Sequence, residues 1–202
     1  MKKRSWRHLI TEDQFWEIIE SSLLKTDNSY QKQEENLNEI FKSMSFDELV
    51  GFCYHNFELY RKSYNPNLWA APYIAMGGCS DSNFAYFRSW LISRGKKVYY
   101  DALEKPDTLI TEFEKFSNCD DILTDTLYAH VTEFYEKNFN EDFGDKMTDT
   151  FEEEFIYNGE LELFNEIVFD WSENDPESMR KICPRIFEKY WDSFLKSKFW
   201  DK

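Results

Sequence analysis

Glycine and proline are scarce in this chain, which has six glycines and five prolines among its 202 residues. Tight turns in β-sandwiches and β-barrels depend on these two residues, so their scarcity disfavours an all-β fold. The alternation of apolar and polar residues that marks strands is also slight throughout. These two deficits favour a helical protein.

Cysteine is sparse too, and its positions are scattered. Cys53, Cys79, Cys119 and Cys183 lie far apart in the sequence, and no two of them form a CxxC pair. A zinc knuckle needs closely spaced pairs, and a small secreted domain needs a dense set of disulfides. We therefore expect reduced thiols and a cytoplasmic location.

Long apolar runs and the common cofactor motifs are absent as well. No run approaches the ~20 residues that a membrane-spanning helix requires, and the first residues lack the apolar stretch of a signal peptide. HExxH, an EF-hand loop, GxGxxG and a phosphate-binding loop with its lysine are all missing. The sequence thus predicts no membrane anchor, no metal and no cofactor.

Acidic residues, in contrast, are abundant and concentrated in one region. The chain has 39 acidic and 24 basic residues, a net charge of −15, and residues 111–175 hold 20 of the acidic ones against three lysines. Such a field repels nucleic acid and anionic lipids and attracts a basic protein surface. The candidates for binding a basic partner are Glu152, Glu153, Glu154, Glu160 and Glu162. The alternative is a solvated acidic face with no partner.

Helix signals run along most of the chain. Thr11 to Gln14 and Ser45 to Glu48 each read as a capping box, which predicts a helix start. Apolar residues spaced by three and four predict further helices, over 28–44, 49–64, 120–139, more weakly 145–157, and from Pro176 onward with Met179, Ile182, Ile186 and Tyr190 on one face. The stretch 161–171 is ambiguous. We predict an all-α fold, a compact helical bundle forming a single domain over residues 1–202.

Residues 65–95 combine aromatics, small residues and a double glycine, and they form the centre of this prediction. Gly77 and Gly78 end the apolar segment 68–76, because glycine accepts the left-handed conformation that closes a helix. Ser80 is a good N-cap for a second helix, and Asp81 places a carboxylate in its first turn. Two helices joined in this way fold back on each other, and the corner between them is a candidate pocket.

The side chains at this corner have both structural and chemical interpretations. Cys79 lies beside a helix N-terminus, which lowers a thiol pKa, but no histidine is placed beside it to act as a base. We therefore favour a small buried residue packed under Trp69 or Trp90. For Asp81 we favour a capping role over a role as an acid or base. For Arg88 we favour a buried ion pair, with Asp81 as a possible partner, over a role in binding an anion. The pocket candidates are Trp69, Gly77, Gly78, Cys79, Ser80, Asp81 and Arg88, and no catalytic residue is predicted.

The same stretch resembles a bacterial family described as domain of unknown function 4240. The resemblance is carried by a leucine-tryptophan pair with small residues, then Gly-Gly-Cys-Ser-Asp, then a phenylalanine-rich helix. In this chain those residues are Leu68, Trp69, Ala70, Ala71, Gly77, Gly78, Cys79, Ser80, Asp81, Phe84, Phe87, Arg88, Trp90, Leu91 and Ile92. The resemblance extends back to Phe15 and Trp16 and forward through Gly95 to Pro106, Asp107 and Leu109, with a looser echo at Pro184 and Arg185, whereas 140–175 matches nothing. The resemblance implies a grouping and no reaction.

Two functions follow as expectations. The first is an interaction protein of the bacterial cytoplasm that uses the acidic region against a basic protein, as an immunity protein or a DNA mimic does. The alternative is a small-molecule-binding or enzymatic pocket at the corner between Gly77 and Arg88.

Overall fold

The computed structural model describes residue 6 and residues 8–116, 127–150 and 167–199, with side chains up to residue 192. Every regular element in those ranges is helical, apart from an isolated antiparallel bridge between Ser172 and Asp175. The prediction of an all-α fold is therefore confirmed. None of the described helices is both long and apolar enough to cross a membrane.

Between residues 12 and 113 the helices follow one another with short connections. They are α1 (Glu12–Ser22), α2 (Tyr30–Phe41), α3 (Phe46–Lys62), α4 (Pro66–Ala75), α5 (Asp81–Ser93), α6 (Lys96–Glu104), a 3₁₀ turn (Pro106–Leu109), α7 (Ile110–Phe113), α8 (Leu127–Phe139), α9 (Phe143–Thr150), α10 (Pro176–Ile182) and α11 (Pro184–Phe199).

Both predicted capping boxes are present. The Thr11 hydroxyl accepts from the Gln14 backbone N–H at 3.2 Å, and the Gln14 side chain accepts from the Thr11 N–H at 2.8 Å. The Ser45 N–H donates to the Glu48 carboxylate at 2.7 Å, and the Glu48 N–H donates to the Ser45 hydroxyl at 3.3 Å. Each box satisfies backbone donors that a helix start leaves without a partner, and so sets where α1 and α3 begin.

Helix α2 is shorter than the predicted range 28–44. It begins at Tyr30, because Ser29 is its N-cap and accepts from the Lys32 N–H at 3.3 Å. Asp27 and Asn28 have φ angles of 51° and 65°, in the left-handed region that a right-handed helix excludes.

The prediction of one continuous helix from Pro176 through Tyr190 is wrong. The chain leaves the helical conformation at Cys183, which has φ −127° and ψ 68°, and a second helix starts at Pro184. Proline has no N–H to continue the ladder, and its ring disfavours a helical residue before it. The apolar spacing of three and four continues across the break, so periodicity alone did not show it.

Contacts between residues divide the chain into two compact units. The first comprises Met1–Arg61, Ile92–Gly95 and Asp125–Phe164. Its described core contains buried rings from three helices, with Phe41 of α2 at 5.3 Å from Phe52 of α3 and 5.5 Å from Phe134 of α8, measured between ring centroids. The Gln33 side chain donates to the Ser93 carbonyl at 2.8 Å and accepts from the Arg94 guanidinium.

The second unit comprises Lys62–Leu91, Lys96–Thr124 and Asn165–Lys202. Its core is built on α5, whose Phe84, Phe87, Trp90 and Leu91 are at most 1% exposed. Trp90 also stacks on Phe113 of α7 with ring centroids 6.0 Å apart. Helix α11 packs on α4 in this unit, and α4 carries the candidate site.

Candidate functional site

The turn between α4 and α5 has the geometry that its two glycines predict. Gly77 and Gly78 have φ angles of 74° and 126°, and the Gly78 N–H donates to the Tyr73 carbonyl at 2.9 Å. That bond is the six-residue closure of a Schellman motif, which ends α4. The Ser80 hydroxyl then accepts from the Asn83 N–H at 3.2 Å and caps the start of α5. The predicted roles of these residues in the turn are confirmed.

We expect Gly77→Val and Gly78→Val each to lower the free energy of unfolding by more than about 1 kcal/mol, because a β-branched residue is strained at positive φ. At Gly78 a Cβ would meet nothing within 4 Å, so the loss there reports the backbone alone. Chemical denaturation measures it. The control is Gly77→Asn, which should lose less because asparagine tolerates the left-handed region. Wild-type stability in both valine variants would contradict the strain argument.

Trp69 links the turn to α5. Its indole Nε1 donates to the Cys79 carbonyl at 3.0 Å, and its ring stacks on Phe84 with centroids 4.3 Å apart and an interplanar angle of 11°. Trp69 is 6% exposed. The hydrogen bond and the stack together fix the orientation of the indole, which makes it a rigid surface beside the turn.

The end of the acidic region, residues 169–173, lies along α4. The Trp171 indole donates to the Pro66 carbonyl at 2.7 Å, at the first turn of α4, and the Tyr73 hydroxyl donates to the Glu173 carboxylate at 2.6 Å, near its end. Between them, the Phe169 ring meets the Trp69 ring at 5.3 Å. The Trp171 ring also meets the Tyr73 ring at 5.0 Å, so two hydrogen bonds and two ring contacts hold residues 169–173 against the helix.

These contacts form a pocket of about 270 Å³. Its lining is Trp69, Tyr73, Cys79, Phe169, Trp171, Ser172 and Glu173, and we call it the aromatic pocket. All seven residues belong to the second unit.

The thiol and the phenol in the aromatic pocket are held in their protonated forms. Burial raises the pKa of the Cys79 thiol to about 12, and burial together with the Glu173 carboxylate raises the pKa of the Tyr73 hydroxyl. A protonated thiol is a poor nucleophile. The interpretation of Cys79 as a small buried residue is confirmed, since it is 8% exposed and lies beside Trp69.

Of the other predicted pocket residues, Asp81 is exposed in the first turn of α5, while Arg88 is 4% exposed. The Arg88 guanidinium lies over the rings of Tyr64 and Phe84, with its central carbon 4.9 Å and 5.2 Å from the two centroids. These cation–π contacts give Arg88 a structural role in the packing between α5 and the residues before α4.

Sequence reasoning missed Tyr73, Phe169, Trp171 and Glu173. The available signal was the alternation of Phe169, Trp171 and Glu173, since alternate residues of an extended segment project to the same side. The surrounding range 161–171 was ambiguous between helix and other conformations. Alternation over so few residues also does not indicate which surface the segment covers.

The acidic candidates Glu152, Glu153, Glu154, Glu160 and Glu162 lie outside the described residues. Within the described ranges, no group of three His, Cys, Asp or Glu side chains is arranged to hold a metal ion.

A larger cavity, of about 490 Å³, lies between α2 and α8. Its lining mixes glutamates with Lys42 and Lys137, and Lys42 pairs with Glu39 at 2.6 Å. Burial lowers the pKa of His130 in its wall. Because charges of both signs line this cavity, its charge favours neither an anion nor a cation.

A family model described as "Protein of unknown function (DUF4240)" matches residues 10–137, and the chain belongs to that family. Neither the curated proteins nor the solved structures contain a match to the chain. The family match includes Trp69, Tyr73 and Cys79 but ends before Phe169, Trp171 and Glu173. One wall of the aromatic pocket therefore comes from the family region and the other from residues beyond it.

Proposed function

We propose that this protein is a small-molecule-binding protein and that the aromatic pocket is its binding site. The observation that carries the proposal is that aromatic residues about a hundred positions apart, Trp69 and Tyr73 on one side and Phe169 and Trp171 on the other, line one concave pocket that is open to solvent. Small-molecule sites are typically concave and mostly apolar, with a few fixed polar groups.

The pocket is also organised in advance of binding. Three of its side chains are held by hydrogen bonds, from Trp69 to the Cys79 carbonyl, from Trp171 to the Pro66 carbonyl, and from Tyr73 to Glu173. Binding to groups that are already ordered costs less conformational entropy. Phe169, in the outer wall, is 41% exposed, and burying its ring under a ligand contributes to affinity.

Burial raises the pKa of the Cys79 thiol, which makes it a poor nucleophile, so the proposal assigns no covalent chemistry to Cys79. The cytoplasm is the proposed location. Its support is that Cys53, Cys79 and Cys183 are free and buried, as suits a reducing compartment.

A second candidate function rests on charge. Residues 111–175 contain 20 acidic residues and three lysines, whereas the rest of the chain is close to neutral. Such a region steers a basic protein toward it and raises its association rate at low ionic strength. In this alternative, Glu152, Glu153 and Glu154 contribute to the docking surface.

One experiment separates the two candidates. The full chain is incubated with a small-molecule extract and, separately, with a protein extract of bacterial cells, and mass spectrometry identifies what each sample retains. We expect the wild type to enrich a small molecule and Phe169→Ala to lose it. A matched variant, in which Glu152, Glu153 and Glu154 are all replaced by lysine, should retain it.

The opposite pattern supports the acidic region. In that pattern Phe169→Ala still captures a basic protein and the lysine variant does not, and the association rate of the complex falls as salt is added. If no small molecule is enriched on the wild type over Phe169→Ala, the proposed function is wrong. Circular dichroism on each variant establishes that its helices are intact.

A further inference from the structure

The rings of the aromatic pocket meet one another at steep angles. Trp69 and Phe169 are inclined at 66°, Phe169 and Trp171 at 78°, and Trp171 and Tyr73 at 56°, with centroid separations of 5.0 to 5.3 Å. A group lodged among rings at such angles lies against ring faces as well as edges. Because the face of an aromatic ring carries partial negative charge, these walls attract a cation.

The charged groups at the aromatic pocket have the same sign. Glu173 is the charged residue of the lining, and the Tyr73 hydroxyl fixes one of its oxygens at 2.6 Å. The segment 167–175 also contains Asp170 and Asp175 and has no lysine or arginine. An anion would be repelled here, and a cation gains from both the carboxylate and the rings.

The lining also distinguishes one kind of cation from another. A primary ammonium carries three N–H donors, and each donor that faces the walls of the pocket rather than water needs an acceptor there. The walls are mainly carbon, and one Glu173 oxygen already accepts from Tyr73. A quaternary ammonium carries no donor and places methyl groups against the rings, so its burial leaves no hydrogen bond unmade.

The volume limits the size of the ligand. At about 270 Å³, the pocket is just smaller than the range of about 300–1,000 Å³ that is usual for drug-sized ligands. We infer that the aromatic pocket binds a small molecule carrying a quaternary ammonium group, of which choline is a simple example. This inference rests on the proposed function, because it names the class of ligand for the same site.

The test compares two probes of nearly the same shape. Choline carries a trimethylammonium group, and 3,3-dimethylbutan-1-ol has a neutral carbon in place of the nitrogen. Titration of the full chain, followed by ligand-observed NMR, gives a dissociation constant for each. We expect choline to bind about tenfold more tightly than the neutral alcohol, because at this partly exposed site the cation–π attraction and the attraction to the Glu173 carboxylate each raise the affinity a few-fold. Potassium chloride at equal concentration controls for ionic strength.

Two variants connect the binding to the pocket. Phe169→Leu keeps an apolar side chain and removes a ring face, and Glu173→Gln removes the charge while keeping an acceptor for Tyr73. Each is expected to weaken choline binding about fivefold or more and to leave binding of the alcohol nearly unchanged. The matched control is Phe139→Leu, at a phenylalanine that is 51% exposed on α8 and outside the pocket. It should bind choline as the wild type does.

Equal affinity for the two probes would overturn the inference but leave the proposed function standing, because the pocket would then select apolar shape. Absence of choline binding would also overturn it. If the enrichment experiment nevertheless succeeds, the ligand belongs to another class, and if that experiment fails too, the proposed function is wrong. Since Phe169 and Glu173 are both exposed, neither variant removes a core contact, and the unchanged binding of the alcohol establishes that the pocket is still formed in each variant.

Discussion

Replacing Trp90 with alanine is expected to lower the free energy of unfolding by about 3–5 kcal/mol, because the cavity left by a buried tryptophan refills only in part. Trp90 is 1% exposed, and its ring packs against Phe87 at 5.6 Å and Phe113 at 6.0 Å. Denaturant unfolding at equilibrium, followed by circular dichroism, measures the loss. Trp90→Phe keeps a ring at the position and should lose markedly less.

The control for that result lies on the same helix. Tyr86 of α5 is 41% exposed, so Tyr86→Ala removes an aromatic side chain without leaving a cavity. We expect its stability to stay within about 0.5 kcal/mol of wild type. If Trp90→Ala lowers the free energy of unfolding no more than Tyr86→Ala does, Trp90 is not part of the core of the second unit.

Asp107→Ala is the second substitution with a large expected effect, about 2–4 kcal/mol. The Asp107 carboxylate is 1% exposed and accepts from the backbone N–H groups of Arg185 and Ile186 at 2.9 and 3.1 Å, and from the Arg185 side chain at 2.9 Å. Alanine removes the cap from the start of α11 and the charge-assisted bond to the guanidinium. Denaturant titration at equilibrium measures the change in the free energy of unfolding.

An exposed ion pair in the same region provides a matched control. Glu114 pairs with Lys189 of α11, and both side chains are 45% exposed. Exposed pairs contribute little to stability because water and salt screen them. We expect Glu114→Ala to unfold close to the wild type, and Asp107→Asn, which keeps one acceptor, to fall between the two. If Asp107→Ala and Glu114→Ala lower the free energy of unfolding by similar amounts, burial and capping do not make the Asp107 carboxylate more stabilising than the Glu114 carboxylate.

The contact between Asp107 and Arg185 could not be predicted from the sequence. Asp107 and Arg185 were both singled out in the sequence, as parts of a resemblance, but they are 78 residues apart and nothing in either neighbourhood indicates that they meet. The start of α11 has no local cap of the kind that Thr11 and Ser45 supply for α1 and α3. Its cap comes from the 3₁₀ turn before α7, and only the folded chain brings the two together.

The residues of the aromatic pocket likewise fall into those that the sequence predicts and those that only the folded chain reveals. Trp69, Cys79 and the two glycines were predicted as parts of one corner, because they lie in one short segment with an apolar run, a helix stop and an N-cap. Phe169, Trp171 and Glu173 were not predicted, since they lie about a hundred residues further along the chain, at the end of the acidic region, and contact α4 only through tertiary packing.

The sequence alone therefore determined the all-α class, the starts of α1 and α3, the reversal at Gly77 and Gly78, and the family. The first three depend on residues within about four positions of one another, where capping, periodicity and backbone conformation act locally, and the family depends on the order of residues along one stretch of chain. Only the tertiary structure decided that Asp107 caps α11 and that the segment around Trp171 closes a pocket on α4. Those contacts join distant parts of the chain, and they depend on which apolar surfaces bury each other, which local spacing does not specify.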